Sequence, residues 1–542
     1  MIKLNKYRKY ITQTFVVSSF FLGLTMTFQS CADLNEDPAI SNQIIKKYSN
    51  VTELENAVTG IYGQLRSAAW MTTFYVSSWA GDDITTHAAS NKADFREFDQ
   101  RNVTPENSRV RDTWSNCYSM IRAANTVLAS SEGLVLADKA AQDRLIGETY
   151  FLRGTLFLHL TRIHGRIPLT LDVSTPEPKL TLASQVDVYK QIETDLLKAE
   201  SLLPAKYPGV NPGAPRPNSG SARALLARLY MDWAGFPVKD NTKYATAASS
   251  AKKVIDEKVS HGFELVSNLE NLWTVGGRFN TEGIFTISYC KSCGVPNRKF
   301  GMLGMPGDFA GWQETFAEIR FFEDFPEGPR KKATYITDIP VEKVKPLDPL
   351  DQTYKVNLSS SLMRSWTQFT DQQNPLFKKI IGPLSDNNYA TFETDRNDYY
   401  MRYAEVLLIF AEASGRSGNI TAASWEALNQ IRRRAAGKPF ATADPTVDVL
   451  TGDIAELAFT ERKWELAGEF LRWNDLVRME RVQEALGNRN PRVSIGTTYT
   501  NGVASPRPIT TATNPIKGSL GTDNYFSPIP AGEVAKHPEL KP

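Results

Sequence analysis

Cysteine and histidine are scarce in this sequence: its 542 residues include four cysteines and five histidines. So few cysteines exclude a fold that disulfide bonds hold together. Cys290 and Cys293 have the spacing of a zinc knuckle or a redox pair, but no second Cys or His pair with metal-ligand spacing accompanies them. We therefore expect a pair of loop cysteines, oxidised or free, and no metal site. Cys117, within a helical pattern, should be a small buried residue.

The sequence also lacks an excess of positive charge and a long apolar run in its body. Its 62 basic residues are matched by 60 acidic ones, so there is no basic field to attract nucleic acid. After the first 30 residues, no apolar run is long enough to span a membrane. The Gly-x-Ser-x-Gly, His-Glu-x-x-His, P-loop and Gly-x-Gly-x-x-Gly motifs are missing as well. Their absence excludes the common hydrolase, zinc-protease and nucleotide-binding sites.

Residues 1–30 predict a secretory signal peptide. Basic residues are concentrated at its start, and a mostly apolar run from Phe15 to Met26 follows them, too short for a membrane span. Cys31 then occupies the position of the acylated cysteine in a bacterial lipoprotein, although the residues before it match that motif poorly. An ordinary secreted protein with an incidental cysteine is the alternative.

Most of the chain shows the apolar period of amphipathic helices. Helices are predicted in adjacent pairs from residue 51 to residue 259, and a helical hairpin is predicted at 401–435. A third helix is predicted at 461–478, where we interpret charges of alternating sign as ion pairs rather than as catalytic groups. The fold class is therefore mainly α: a tetratricopeptide-like superhelix of helix pairs, with long loop-rich insertions and a few short strands.

The interval 262–383 differs in character, because it is rich in glycine, proline and aromatic residues and has no sustained helical period. Within it, residues 284–289 alternate like a short strand. Loops on a helical frame often carry binding residues, and an exposed aromatic ring can stack on a sugar ring or on a peptide side chain. The candidate ligand-binding residues are loop aromatics, each of which could instead be buried: Trp312, Phe309, Trp70 and Phe95. Tryptophans on helical faces are expected to pack in the core: Trp114, Trp233, Trp425 and Trp473.

Four segments in the last third of the chain resemble, in order, the signatures of SusD/RagB-type proteins, the surface nutrient-binding lipoproteins of Bacteroidetes. They are RYAEVLLIFAEA at 402–413, LNQIRRRAA at 428–436, ERKWELAGEFLRWNDLVR at 461–478 and YFSPIPAGEVAKHPELKP at 525–542. The acidic residues after Cys31 are similar to the tether of this family, which favours lipidation of Cys31, for example with palmitate. The domains expected on this basis are a lipoprotein signal peptide at 1–30, an acidic tether at 31–50, an N-terminal helical region at 51–260, and a C-terminal region at 261–542 that includes a loop-rich cap at 262–383.

The resemblance implies a non-catalytic protein that is anchored by lipid to the outer membrane and exposed at the cell surface. Such a protein binds a nutrient glycan, an oligo- or polysaccharide, and delivers it to a SusC-like TonB-dependent transporter; RagB-like members bind peptides instead. A solenoid that binds only other proteins is a further alternative. So is a glycoside hydrolase that uses Asp82 or Asp83 with a distant carboxylate. A calcium ion could also bind near Asp82 and Asp83, but adjacent acidic residues more often cap a helix or face water. No cofactor is expected.

Overall fold

The computed structural model describes residues 47–70, 73–87, 92–173, 180–207, 216–312, 314–343, 354–369, 373–386, 391–489, 494–500, 503–509 and 514–541. The predicted signal peptide, the predicted lipidation site Cys31 and most of the predicted tether lie outside these residues. The described residues belong to one compact unit, residues 47–542. Among the helices they form, none combines the length and the apolar character needed to cross a membrane.

The helices of the described residues are α1 (Val51–Trp70), α2 (Ala93–Asp99), α3 (Ser108–Ser131), α4 (Lys139–His164), α5 (Gln185–Leu202), α6 (Ser219–Ala234), α7 (Lys243–Asp256), α8 (Lys258–His261), α9 (Lys299–Gly304), α10 (Ile319–Asp324), α11 (Pro329–Thr334), α12 (Lys378–Ile381), α13 (Tyr403–Ser417), α14 (Ala422–Ala435), α15 (Ile454–Glu465), α16 (Arg472–Arg478), α17 (Val482–Leu486) and α18 (Ala531–Lys536). Short 3-10 helices occur at Thr73–Ala80, Leu269–Trp273, Gly307–Phe309, Trp366–Gln368, Leu384–Asp386, Thr522–Asn524 and Pro538–Leu540.

The strands are short: β1 (Ile84–Thr85), β2 (Gly283–Ile287), β3 (Phe316–Ala317), β4 (Tyr335–Ile336), β5 (Asp338–Lys343), β6 (Tyr354–Val356), β7 (Met363–Ser365), β8 (Leu376–Phe377), β9 (Asp398–Arg402), β10 (Ser494–Thr500) and β11 (Val503–Ile509). All pairs are antiparallel: β1 with β3, β2 with β9, β4 with β8, β10 with β11, and β5 between β6 and β7. The strand predicted at 284–289 is confirmed as β2.

The long helices pack as neighbours along the chain. α1 lies against α3, each of α3 to α6 lies against the next helix, and α13 lies against α7, α14 and α15. The predicted mainly helical, paired architecture is therefore confirmed. Several of these helices begin at a side chain that accepts a hydrogen bond from a free backbone N–H of the first turn, as expected of N-cap residues; these residues are Asn107, Asp138, Ser184, Asn218, Thr421 and Asp453.

Helix α4 approaches α5 closely because it has glycine at two contact points. A Cβ atom at Gly147 would lie 3.0 Å from the Cβ of Leu202, and one at Gly154 would lie 3.3 Å from the Cβ of Asp195. Arg153, next to Gly154, donates hydrogen bonds to both carboxylate oxygens of Asp195, at 2.9 and 2.6 Å. Small residues and one buried ion pair thus fix the distance between the two helices.

One main hydrophobic core runs between the helix pairs and extends from Leu54 to Leu540. The helical-face tryptophans contribute to packing as predicted: Trp114, Trp233 and Trp473 are buried, and Trp425 is half-buried against the main core. A second, smaller core lies within the loop-rich interval and includes Met305, Phe316, Ile339 and Leu376. The interval thus holds short helices and strands around an apolar cluster of its own.

Cys290 and Cys293 are joined by a disulfide bond, so the structure selects the oxidised form of the predicted loop pair. The backbone N–H of Cys290 donates to the carbonyl of Val295, and the N–H of Val295 donates to the carbonyl of Cys290. These two hydrogen bonds close a tight turn after β2. Cys117 is a free cysteine and is fully buried, as predicted.

The charged segment at 461–478 is not one helix, and that prediction was wrong. Helix α15 ends at Glu465 and α16 begins at Arg472. Between them, Gly468 and Phe470 have φ angles of 73° and 63°, which an α-helix does not allow. A Cβ atom at Gly468 would lie 2.6 Å from the ring of Phe377, so the turn requires glycine there.

The charged residues of this segment do form ion pairs, but mainly with residues from other parts of the chain, in the protein interior rather than along one helix. Arg402, the last residue of β9, contacts Glu282 at 2.5 Å, Glu465 at 2.8 Å and Glu469 at 2.6 Å. Arg434 contacts both Glu282 and Glu465. All five side chains are buried. Burial alone would raise the pKa of Glu465, but the guanidinium groups around it lower that pKa far below its ordinary value.

We predict that Arg402→Met destabilises the protein by about 3–5 kcal/mol, because it leaves buried carboxylates without their shared counter-charge. Urea unfolding measures the change in the free energy of unfolding. Lys252→Met is the matched control: it breaks an exposed pair with Asp256 on α7 and should cost less than about 0.5 kcal/mol. A loss for Arg402→Met as small as that of the control would contradict the prediction.

Candidate functional site

Among the predicted site residues whose side chains the structure describes, Trp312 is the one at the surface, with 37% of its area exposed. It follows the 3-10 helix Gly307–Phe309, after which the chain turns at Ala310 with a φ of 61°. The backbone N–H of Trp312 donates a hydrogen bond to the carbonyl of Met302, at 2.7 Å. A Cβ atom at Gly311 would lie 1.8 Å from a backbone oxygen, so only glycine fits beside the tryptophan. The loop therefore holds Trp312 in a defined position.

The base of this loop is anchored in the second core. Phe309 is buried there and meets the ring of Phe369 edge-on, at 6.0 Å. Beside it, the carboxylate of Asp308 forms a buried ion pair with Arg364 of β7, at 2.8 Å. We predicted Phe309 as an exposed ligand contact, but its ring is covered by apolar neighbours. Its place in the structure is that of a support beneath the loop.

Phe95 and Trp70 are the other two residues predicted to contact the ligand. Phe95, on α2, is fully buried and packs against Trp79 with 4.8 Å between ring centroids. Contrary to our expectation, it presents no face to solvent, because its helix turns its apolar side to the main core. Trp70 ends α1, and its side chain lies outside the described part of the structure, so its role stays a prediction.

Lys92 lies beside Trp312, and the sequence analysis missed it. Its ammonium nitrogen is 5.1 Å from the centroid of the Trp312 ring and 3.3 Å from Glu314 Oε1. Glu314 is fully buried, and its other oxygen accepts a hydrogen bond from the hydroxyl of Thr86 at 2.8 Å. Lys92 and Trp312 are more than 200 residues apart, so no spacing in the sequence indicates that they meet.

Strands β1 and β3 bring these two parts of the chain together. Thr85 pairs with Phe316, and the indole N–H of Trp79 donates to the carbonyl of Glu314 at 2.7 Å. We call the exposed ring of Trp312 with the neighbouring ammonium of Lys92 the Trp312 surface. A ring of this kind can stack on an apolar ligand face, while an ammonium group can donate hydrogen bonds to ligand oxygens.

Asp82 and Asp83, which we considered for hydrolysis or calcium binding, are both buried. Arg472 donates to both oxygens of Asp82, at 2.6 and 3.2 Å, and the N–H of Gly468 donates to Asp83 Oδ2 at 2.9 Å. Burial alone would raise the pKa of Asp82, but Arg472 lowers it. Burial raises the pKa of Asp83 to about 6. Both carboxylates are therefore committed to contacts that hold the α15–α16 turn.

Within the described ranges, no group of three or more His, Cys, Asp or Glu side chains has a geometry that could hold a metal ion.

The fold and the loop together define a mainly α protein in which a frame of helix pairs supports a loop-rich region with an exposed tryptophan. Two family models match the chain: the SusD family at residues 315–541, and a family described as starch-binding, associating with outer membrane, at residues 34–231. These matches lie in separate halves of the chain and together span most of it. The chain belongs to the SusD/RagB family.

Individual relatives agree with this assignment. SusD-like protein P2 of Formosa agariphila is 24% identical over 96% of this chain and 98% of its own length. A solved laminarin-binding SusD-like protein has a TM-score of 0.66 at 23% identity, and it covers 90% of this chain and 98% of its own. Surface glycan-binding protein A of Bacteroides uniformis has a TM-score of 0.67 at 21% identity with the same coverage. At these identities the two structures establish the shared fold.

We predict that Asp83→Asn alters the pH dependence of stability. Because burial raises the pKa of Asp83 from 3.8 to about 6, the wild-type carboxyl stabilises the fold below the lower value. That contribution is lost as the pH rises through the higher value. The free energy of unfolding of the variant, relative to wild type, should increase by on the order of 2 kcal/mol between about pH 4 and about pH 7. Urea unfolding at both pH values measures this change, with the exposed Asp256→Asn as the control. If the variant differs from wild type by the same free energy at about pH 4 and at about pH 7, burial does not raise the pKa of Asp83.

Proposed function

We propose that this protein binds a nutrient glycan at the cell surface, without altering it, and delivers it to a TonB-dependent outer-membrane transporter. The observation that carries this proposal is the exposed ring of Trp312, held in a fixed loop with the ammonium of Lys92 beside it. Membership of the SusD/RagB family supports it, as does the similarity to a laminarin-binding SusD-like protein and to a surface glycan-binding protein.

The Trp312 surface suits a sugar ring on physical grounds. A pyranose has an apolar face of C–H groups that can lie on an indole ring, and hydroxyl groups at its edge that accept hydrogen bonds from an ammonium. One aromatic contact is worth only about 0.5–1.5 kcal/mol beyond the area it buries, so binding through one ring is weak. Because Gly311 and the hydrogen bond to Met302 already fix the loop, little entropy is lost when a ligand binds.

We further propose that Cys31 carries the lipid that anchors the protein to the outer membrane. The family description, starch-binding and associating with outer membrane, supports this location. The proposed anchor holds the protein at the membrane in which the transporter lies. Catalysis has no part in the proposal, since Asp82 and Asp83, the carboxylates considered for it, are bound to protein groups.

We predict that Trp312→Ala lowers glycan affinity at least about tenfold, because the stacking face is removed. Isothermal titration calorimetry with laminarin, xyloglucan and starch oligosaccharides, and with a peptide mixture, identifies the ligand and measures the change. Phe279→Ala is the matched control, since Phe279 is an exposed aromatic residue outside the Trp312 surface and should leave affinity unchanged.

Incubation of the protein with the same glycans tests whether the ligand is altered. Binding without new reducing ends supports a carrier. Turnover that is abolished by Asp83→Asn would show that the protein is a hydrolase instead. If peptides bind and every glycan fails, the carrier role stands but the ligand class in the proposal is wrong.

We predict that the protein co-purifies with a TonB-dependent transporter from detergent-solubilised outer membrane. The proposed lipid anchor places the protein at the membrane that holds the transporter. A stable complex between the two would bury a large contact area and survive purification. Pull-down of the tagged chain followed by mass spectrometry tests this. Cys31→Ala is the control, and this variant should be absent from the membrane fraction. Recovery of the wild-type chain as a free monomer would argue against the partnership.

A further inference from the structure

A cavity of about 260 Å³ lies between α10, α15, α16 and α17, and none of its lining residues belongs to the Trp312 surface. Its walls include the rings of Phe321 and Phe459. Charged side chains of both signs line the rest: Arg320, Lys463, Arg472 and Arg481 on the basic side, and Asp82, Glu318, Asp324 and Glu484 on the acidic side.

The carboxylates that line the cavity are engaged by protein groups. Asp82 is bound by Arg472 through two hydrogen bonds, and Glu318 accepts the backbone N–H of Phe321 at 2.8 Å. The other two face arginines at longer range: Asp324 with Arg320 and Glu484 with Arg481, each at 3.8 Å. Arg481 has a closer partner in Glu456, at 2.7 Å.

Lys463 is different from the other cations of this cavity. Within the described ranges, no carboxylate oxygen lies within 4.0 Å of its ammonium nitrogen, and no hydrogen bond satisfies that nitrogen. The ammonium instead lies over two rings, 4.2 Å from the centroid of Trp464 and 5.0 Å from that of Phe321. Burial lowers the pKa of Lys463, and the charges of Asp82 and Arg472 oppose each other there. Because Lys463 is partly buried, a carboxylate that enters the cavity would interact with its ammonium more strongly than with a fully exposed lysine.

We propose that this cavity binds the carboxylate of a small organic anion, either a free organic acid or one acidic sugar residue, with Lys463 as its counter-ion. The volume exceeds what a single water or a monatomic ion occupies, so the occupant has room for a carbon skeleton beside Phe321 and Phe459. A neutral sugar has no charge with which to pair the ammonium. The proposal is independent of the Trp312 surface, because the two share no residue and each can bind without the other.

Isothermal titration calorimetry of the full chain with galacturonate, succinate and methyl galactoside tests the proposal. We expect at least one of the two carboxylates to bind and the neutral sugar not to bind at this cavity. Lys463→Met, which keeps the aliphatic stem over the rings, should weaken carboxylate binding at least about tenfold. Lys463→Gln provides a second variant should the first fail to fold, and circular dichroism and thermal unfolding check both. Lys252→Met removes an exposed ammonium on α7 and should bind as wild type does.

The outcomes separate the two sources of the carboxylate. Binding of galacturonate alone assigns the cavity to an acidic sugar residue, and equal binding of succinate assigns it to a free organic acid. The proposal is overturned if neither carboxylate binds at about 10 mM. Carboxylate binding that survives Lys463→Met and Lys463→Gln unchanged would overturn it as well.

Discussion

The buried charges around Arg402 are the interaction on which the rest of the arrangement depends. Taking a charged group out of water costs several kcal/mol, and this cost is recovered only when each charge meets its partners in good geometry. Arg402 ends strand β9, Glu282 precedes β2, and Glu465 ends α15, so one cluster fixes three elements that lie far apart in the chain. Arg434 adds the helical hairpin α13–α14 to the same cluster. None of these elements can shift without leaving a buried charge unpaired.

Contacts continue from this cluster to the loop that carries Trp312. The turn after α15 brings the N–H of Gly468 to Asp83, and a few residues beyond Asp83 the hydroxyl of Thr86 binds the buried carboxylate of Glu314. Glu314 stands two residues after Trp312 and contacts the lysine next to its ring. The helical frame thus positions a surface loop through polar contacts as well as through apolar packing. A loop held in this way meets a ligand in one conformation, which limits the entropy lost on binding.

Much of the frame could be read from periodicity. The helix predicted to end the hairpin at 421–435 is α14, Ala422–Ala435, and the alternation at 284–289 is strand β2. The prediction failed at 461–478, because charges of alternating sign keep the same spacing whether or not the helix is interrupted. The break is set by Gly468, whose neighbour is the ring of Phe377, and that contact lies some 90 residues away in the chain. Likewise, Phe309 and Phe95 were expected to be exposed loop residues but are covered by the rings of Phe369 and Trp79.

The sequence by itself determined the helix pairs, the loop-rich interval between them and the resemblance to the SusD/RagB family. These properties are carried by residues close together in the chain, where spacing reports which face of an element is apolar. Only the tertiary structure decided that Trp312 stays exposed while Phe309 is covered, that Lys92 lies beside it, and that the charges near α15 pair inside the protein. Exposure and ion pairing depend on which distant segments come into contact, and a local sequence pattern does not predict those contacts.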